Sequence, residues 1–439
     1  MMKIDRLPQD DRSNGWSGIL ADRTPKPELT GDQAADWLVL GAGYAGLAAA
    51  RRLAENRPDE KIVLVEAGKV GENASGRNSG FAIDLPHNVG SSLAELEGSH
   101  RYMRLARAAI EQLEGAVQAH NIDCEWSHDG KYHAAVSPRG VKEVLEPFAK
   151  ELEALGEPFE WVEHEALAGK LGSTHFTAAI YTPGGALMNP AALTRGLADS
   201  LPENVTLVEN SPVIQAVYEN GVQLTTAKGS VRAPRMIMAA NGFAEQFGMH
   251  QGKFIHVSAF GSLTRRLTEA EQERYGVAEP WGMTPANAFA GITMRYTNDR
   301  RILIRQGLNY CPKQYVAQSE IDHYRAHHKK LFDQRFPMLP EVEIEHTWSG
   351  VVCLSQNHAP AFGQVAGNIW SAVCQNAVGV TKGTIGGTLA ADMATGRDNP
   401  LIDDMLQLGS PQQLPPKPFV DWGIWARFQW ELFKNRHEA

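Results

Sequence analysis

Two features of the chain suit joint chemistry. Gly41-Ala42-Gly43-Tyr44-Ala45-Gly46 matches G-x-G-x-x-G, and Glu66 follows Gly46 by about 20 residues. A glycine-rich turn that opens a helix can hold a pyrophosphate. Gly41 allows the tight turn, Gly43 lets the backbone approach the phosphates, and Gly46 lets helix and sheet pack closely. The helix start adds unpaired N–H groups and the positive end of its dipole. An acidic residue at Glu66 accepts hydrogen bonds from ribose hydroxyls and repels a 2′-phosphate, which favours FAD or NAD over NADP. The later stretch Gly71-Glu72-Asn73-Ala74-Ser75-Gly76-Arg77-Asn78-Ser79-Gly80 is rich in Gly and short polar residues. Such a loop can follow a cofactor at backbone distance.

The elements that must position these residues are legible. Asp36 to Leu40 is a short apolar run stopping at Gly41, as a buried parallel strand does. Ala45 to Glu55 carries helix formers, Pro58-Asp59 breaks the pattern, and Lys61 to Glu66 reads as the next strand. This is one βαβ unit. Residues 91–120 and 140–170 are expected to be helical by periodicity. Val205 to Val208 and Met236 to Ala240 are further buried-strand candidates. Between 251 and 345, strand-like runs such as Arg301-Ile302-Leu303-Ile304 mix with a helix near 318–335. Residues 1–35 are polar and read as an arm laid on the body or partly disordered. The alternation predicts an α/β protein with an inserted second domain.

Composition narrows the class. The chain has 439 residues, enough for two to three domains at about 150 residues each. Its net charge of −9 argues against a general nucleic-acid binder. No apolar run approaches the ~18 residues of a membrane span, and no apolar stretch follows the first charged residues, so neither a span nor a secretory leader is expected. Cys124, Cys311, Cys353 and Cys374 show no metal-ligand or disulfide spacing. No metal is expected, and a reducing, cytoplasmic setting fits. There are 41 glycines, above the ~7% of average usage, so many backbone positions need positive φ or close approach. Besides those above, Gly379, Gly383, Gly386 and Gly387 are expected where backbone approaches a cofactor.

With the 71–80 loop in view, the sequence resembles the FAD-dependent amine and amino-acid oxidoreductases, the family of D-amino acid oxidase, glycine oxidase and sarcosine oxidase. Within it, the likeness is strongest to the gamma-glutamylputrescine oxidases. The matching segments are Ala35 to Leu47, Val65-Glu66-Ala67, and Asn73 to Gly80. Others are Asn189-Pro190-Ala191-Ala192-Leu193, Glu209 to Val213, Ile237 to Gly242, Trp348 to Gly363, and Gly379-Val380-Thr381. The resemblance implies a Rossmann-type, glutathione-reductase-like FAD-binding domain from residues 1–89, 186–250 and 346–439. An inserted α+β substrate domain with a mixed or antiparallel sheet would take 90–185 and 251–345. It also implies a cofactor set. That set is Gly41 to Gly46, Glu66, Ala67, Ser75, Gly76, Arg77, Asn78, Ser79, Gly80, Val213, Ala240, Asn241, Gly242, Gly350, Gly379, Val380 and Thr381. Some relatives carry FAD on a cysteine near Gly350. Cys353 is three residues away, so noncovalent FAD is expected.

The chain departs from the family pattern where the substrate end should lie. Cys374-Gln375-Asn376-Ala377-Val378-Gly379 replaces a glycine-aromatic-Ser-Gly-His-Gly run, Asn357 replaces an Asp, and Arg305 replaces a Gly. Flavin amine oxidation moves a hydride equivalent from the C–H beside nitrogen to the cofactor, giving an imine that water hydrolyses. No acid/base pair is required, and no catalytic residue is nominated. Arg305 is the candidate clamp for a substrate carboxylate, because a guanidinium fork matches that group; a salt bridge is its alternative. His256, Gln375 and Thr381 are further substrate-side candidates, with plain structural roles as alternatives. The expected activity is oxidation of a small amine or amino acid in catabolism, with oxygen as electron acceptor. A dehydrogenase passing electrons to a carrier and a non-catalytic flavin-binding sensor are the alternatives. The tail from Phe419 to Lys434 reads as a helix with an aromatic stripe. Packing on the body or across a dimer is expected of it, a membrane-surface anchor being the alternative. The oligomeric state stays open.

Overall fold

Short apolar runs become central strands when both of their faces are covered, and every residue of Trp37–Leu40 and Ile62–Val65 is buried. The computed structural model describes residues 2–86 and 96–439. The expected helix start at 91 and the expected boundary between 89 and 90 lie outside the described residues. Trp37–Leu40 and Ile62–Val65 sit in a six-stranded sheet ordered Val205–Val208, Ile62–Val65, Trp37–Leu40, Arg235–Met238, Ile369–Val373, Ala361–Ala366. The first five strands are parallel and the last is antiparallel.

Alternation along these strands builds three layers. Trp37, Val39, Ile62, Leu64 and Ile237 face helices Tyr44–Asn56 and Gly379–Thr395. Leu38, Leu40, Val63, Val65, Met236 and Met238 face a five-stranded sheet through Val213, Val222, Leu224 and Val231. That sheet is the meander Gln215–Val217, Val222–Thr225, Gly229–Ala233, flanked by Met2–Lys3 and Gly31–Ala34. The arm is thus laid on the body, and its Trp16 is fully buried.

A second, eight-stranded mixed sheet runs Ile344–Leu354, Ile255–Thr264, Ile302–Tyr310, Thr293–Tyr296, Trp281–Pro285, Lys131–Ala135, Ala178–Thr182, Glu160–Glu163. Its pairings are antiparallel except where Trp281–Pro285 meets Lys131–Ala135. Ile302 and Ile304 pack against Leu331 and Phe332 of helix Gln318–Arg335. Ile344–Leu354 pairs along its length with Ile255–Thr264, so this sheet continues past residue 346. One expectation fails. The helix foreseen over 140–170 ends at Leu155, and Glu160–Glu163 is a strand before helix His164–Leu171. Pairing with Ala178–Thr182 overrides the helical periodicity there.

Candidate functional site

The first strand ends at Gly41, whose N–H donates to the Val65 carbonyl at 2.8 Å. Its φ of +99° is open to glycine, and a Cβ on Gly46 would fall 1.7 Å from the Gly41 carbonyl oxygen. Turn and helix are therefore interlocked, as the spacing requires. Helix Tyr44–Asn56 has no side-chain cap at Gly43, and the Tyr44 N–H meets Ser75 Oγ at 3.2 Å. Glu66 accepts from the Ala42 N–H at 2.7 Å, the Gly68 N–H at 3.0 Å and Asn73 Nδ2 at 3.3 Å. Burial, and the nearby Glu209, raise its pKa.

The 71–80 loop is held from outside. Asn14 Nδ2 donates to the Gly71 carbonyl at 2.9 Å and the Gly76 carbonyl at 3.2 Å. Trp16 Nε1 donates to the Asn78 carbonyl at 2.8 Å. Asn78 closes its own turn, bonding the Ser75 carbonyl and the Gly80 N–H. Buried Arg295 reaches across from Thr293–Tyr296 to the carbonyls of Ser79, Gly80 and Met188. Arg77 is spent on structure: its guanidinium pairs with Asp11 at 2.7 Å and Asp10 at 3.4 Å and donates to the Ser349 carbonyl at 2.9 Å, beside Gly350. Below the loop, the carboxylate of Glu209 is wholly buried. It takes two bonds of 2.9 Å from Arg23, the Lys26 N–H at 2.6 Å and the Val70 N–H at 2.7 Å. Sequence reasoning missed Asn14, Trp16, Arg23, Glu209 and Arg295. A lone tryptophan inside a polar arm was the available signal.

At the far side, Cys374, Asn376 and Ala377 all have positive φ just before helix Gly379–Thr395. Asn376 fixes this turn, accepting from the Ser355 N–H at 2.8 Å and donating to the carbonyls of His358, Ala359 and Cys374. Asn241 Oδ1 accepts the Cys374 N–H at 3.1 Å, with half-buried Ala240 beside it. Val380 is buried in the core, and Thr381 Oγ1 donates to the Ile83 carbonyl at 3.3 Å. Gln375 donates to the Ala372 carbonyl at 3.1 Å, while its buried Oε1 has no partner. Gly383 and Gly387 correct their expected use. A Cβ on Gly387 would strike the Ala45 carbonyl oxygen, and one on Gly383 would crowd Tyr44 Cβ at 3.3 Å, so both serve a helix-to-helix contact. Gly379 has open space around it. Val213 is buried between the two sheets of the nucleotide side, and Ala67, after Glu66, is half-buried. Lys382, unremarked in the sequence, sits 5.1 Å over the Tyr102 ring, and burial lowers its pKa to about 8.

Two substrate-side candidates separate clearly. His256 is buried with its Nε2 2.8 Å from the Glu245 carboxylate, and Gln314 meets both of its ring nitrogens; the ring also fills the space beside Gly242. Arg305 has no hydrogen-bond or ion-pair partner among the described residues, and burial lowers its pKa. It lies opposite Thr293 and Gly261, two residues along from Leu303. Leu303 packs on Trp16 and Trp348, so Arg305 shares the sheet face that looks toward the 71–80 loop. Among the described residues, no group of three metal-capable side chains is assembled, and no helix is long and apolar enough to cross a membrane.

These residues fit a flavin dinucleotide: an uncapped helix start, a buried carboxylate beside it, and an orphaned Gln375 oxygen at the opposite helix start. Comparison with known proteins agrees. The family model for FAD-dependent oxidoreductases of the D-amino acid oxidase type matches residues 36–393. The chain is 26% identical over 372 residues to gamma-glutamylputrescine oxidoreductase of Escherichia coli, covering 82% of this chain and 84% of that one. It is 25% identical over 386 residues to the probable oxidoreductase OrdL of Haemophilus influenzae, covering 85% and 86%. Glycine oxidase from Geobacillus kaustophilus shares the fold, with a TM-score of 0.71 at 17% identity over 88% of this chain and 100% of that one. The chain therefore belongs to the FAD-dependent oxidoreductase family, and it is an enzyme whose cofactor is FAD.

Proposed function

We propose that this flavoenzyme oxidises the C–N bond of a small amine or amino acid that carries a carboxylate, in a catabolic role. Arg305 carries the reading. It is a half-buried guanidinium without a protein counter-ion, on the sheet face that looks toward the 71–80 loop. Partial burial already disfavours its charged form, and a ligand carboxylate would supply the anion that the protein does not.

Bound FAD supplies the electron sink, taking a hydride equivalent from the C–H beside nitrogen. The protein's part is position and desolvation. The glycine turn and Glu66 hold the nucleotide end, with Ser75 and the 75–80 backbone along its length. Asn241, Gln375 and Thr381 bound the reactive end, where the free Gln375 Oε1 accepts an N–H. Arg305 forks onto the substrate carboxylate and fixes which C–H faces the cofactor. His256, claimed by Glu245, holds the Asn241–Phe247 turn in place. Residues 90–185 and 251–345, extended by Ile344–Leu354, form the substrate part under this reading.

The test is an anaerobic panel read by loss of oxidised-flavin absorbance. It pairs carboxylated amines with their decarboxylated counterparts and includes gamma-glutamylated diamines, N-methyl amino acids and D-amino acids. Arg305→Met should raise KM for the carboxylated substrate by roughly 10–100-fold, the worth of hydrogen bonds to a charged group. It should leave the decarboxylated amine nearly unaffected. An unchanged KM would remove the clamp. Oxygen is then admitted: prompt reoxidation identifies an oxidase, and slow reoxidation a carrier-linked dehydrogenase.

A further inference from the structure

Helix Phe419–Lys434 lies beyond the family-matched residues 36–393 and presents an unusual surface. Phe419, Trp422, Trp425, Trp430 and Phe433 are 60–65% exposed. Their spacing of mostly three and four residues, with Ala426 and Gln429 between, puts them on one helical stripe that contains no charge. With each ring offering ~150–250 Å² and about 60% of it open, the stripe exposes roughly 600 Å². That is at the upper end of the ~300–600 Å² found for the largest patch on a typical monomer.

The stripe faces away from the body because the opposite side of the helix is tied down. Ile424 is buried, Phe428 meets Phe289 edge to face with ring centroids 5.4 Å apart, and Tyr310 donates to Asp421 at 2.6 Å. After the helix, Glu438 is buried against the N–H groups of Val136 and Ser137 and the Ser137 hydroxyl.

The charges sort with the same polarity. All three carboxylates of residues 417–439 are engaged: Asp421 with Tyr310, Glu431 with Arg427 and Asn435, and Glu438 with the 136–137 backbone. The exposed cations Lys417, Lys434 and Arg436 have no ion pair among the described residues, and Arg436 lies 4.3 Å over the Phe433 ring. An otherwise acidic chain thus shows one face that is aromatic and locally basic.

We propose that this helix docks the enzyme on an anionic bilayer surface. Its axis would lie in the membrane plane, with the tryptophans and phenylalanines at headgroup level and Lys417, Lys434 and Arg436 on lipid phosphates. Aromatic rings without a charged residue among them suit the interface, and the free cations select negative lipid. This docking is independent of the substrate assignment.

Flotation of the full-length holoenzyme with vesicles tests it. The wild type should float with vesicles of equimolar phosphatidylglycerol and phosphatidylcholine, less so in high salt, and less still with pure phosphatidylcholine. Trp422→Ser/Trp425→Ser/Trp430→Ser should lose roughly tenfold or more of the partitioning. Lys417→Gln/Lys434→Gln/Arg436→Gln should lose its preference for phosphatidylglycerol. Flavin absorbance and thermal midpoint, unchanged in both variants, establish that they remain folded. A wild type that stays in the aqueous fraction overturns the proposal, as do variants that float like the wild type. A dimer in sedimentation equilibrium that the tryptophan variant abolishes, without vesicle binding, would assign the stripe to a second copy instead.

Discussion

Gly386 and Gly387 are neighbours in helix Gly379–Thr395 and form a matched pair for a quantitative test. Replacing glycine by alanine in a helix interior is worth about 0.8–1 kcal/mol in propensity at either position. A Cβ on Gly386 would meet Ala372 Cβ and Gln375 Nε2 at 3.8 Å, which is ordinary contact. Gly386→Ala should therefore stabilise by about that propensity difference. A Cβ on Gly387 would lie 1.9 Å from the Ala45 carbonyl oxygen and 2.8 Å from its carbon. Ordinary contact begins at 3.4 Å, so the helices must part by 3.4 − 1.9 = 1.5 Å, and backbone cannot rotate out of the way as a side chain can. Overpacking costs about 1–3 kcal/mol, and so deep an overlap with backbone belongs at the upper end, which leaves Gly387→Ala destabilised by about 2 kcal/mol after the propensity gain. Urea unfolding of the holoenzyme should rank Gly386→Ala above wild type and wild type above Gly387→Ala. Ala45 belongs to the first turn after Gly43, so Gly387→Ala should also loosen FAD, seen as flavin fluorescence released at lower urea. Equal stabilities for the two variants would refute the reasoning. A Gly387→Ala protein of wild-type stability that has lost FAD would mean that residue 387 faces the cofactor after all.

Two further outcomes follow from buried titratable groups. Burial lowers the Lys382 pKa to about 8, so its ammonium is charged in both folded and unfolded chains below that pH. The cost of burying it is fully present there and is relieved as pH rises toward the unfolded value near 10.5. Lys382→Met should raise the thermal midpoint at pH 7 and lose most of that advantage by pH 10; a constant difference would place the lysine in solvent. The Cys353 thiol is buried with Val373 and Cys374, and burial pushes its pKa up, which disfavours the thiolate that a covalent flavin link needs. Acid precipitation should therefore release the yellow colour to the supernatant, and a yellow pellet would contradict noncovalent binding.

The nucleotide side was legible because its determinants are local. A buried strand, a glycine turn, a helix and an acidic strand end lie within thirty residues, and each of their signals points the same way. Glycines 41 and 46 do what their spacing implies, touching one another across five residues. Gly383 and Gly387 were misread for the complementary reason. Their partners are Tyr44 and Ala45, more than 330 residues away, and a glycine that admits a helix looks in sequence like one that admits a ligand. Asn376 stands in sequence only as a departure from the family pattern, and its role is invisible there because its amide is consumed by Ser355, His358, Ala359 and Cys374. Arg305 was legible by type and strand, but its lack of a partner depends on the neighbouring strands, which set Gly261 and Thr293 opposite it.

The arm extends this logic to stability. Its polar composition left it either laid on the body or partly disordered; it is laid on the body, where Asn14, Trp16, Arg23 and the Lys26 backbone each answer a buried demand. The Glu209 carboxylate is wholly removed from solvent and, without Arg23 and the Lys26 N–H, would be an uncompensated buried charge. The same carboxylate holds the Val70 N–H at the start of the 71–80 loop, and Asn14 and Trp16 hold three of that loop's carbonyls. The segment that precedes the glycine fingerprint therefore acts as an external brace for the fingerprint's second loop. That loop has 10 residues and spends its own side chains on closing its turns and anchoring the arm, so its backbone can lie along a cofactor only if something else keeps it from collapsing. The arm is that support, holding the loop's carbonyls through Asn14 and Trp16 and its leading N–H through the Arg23–Glu209 pair.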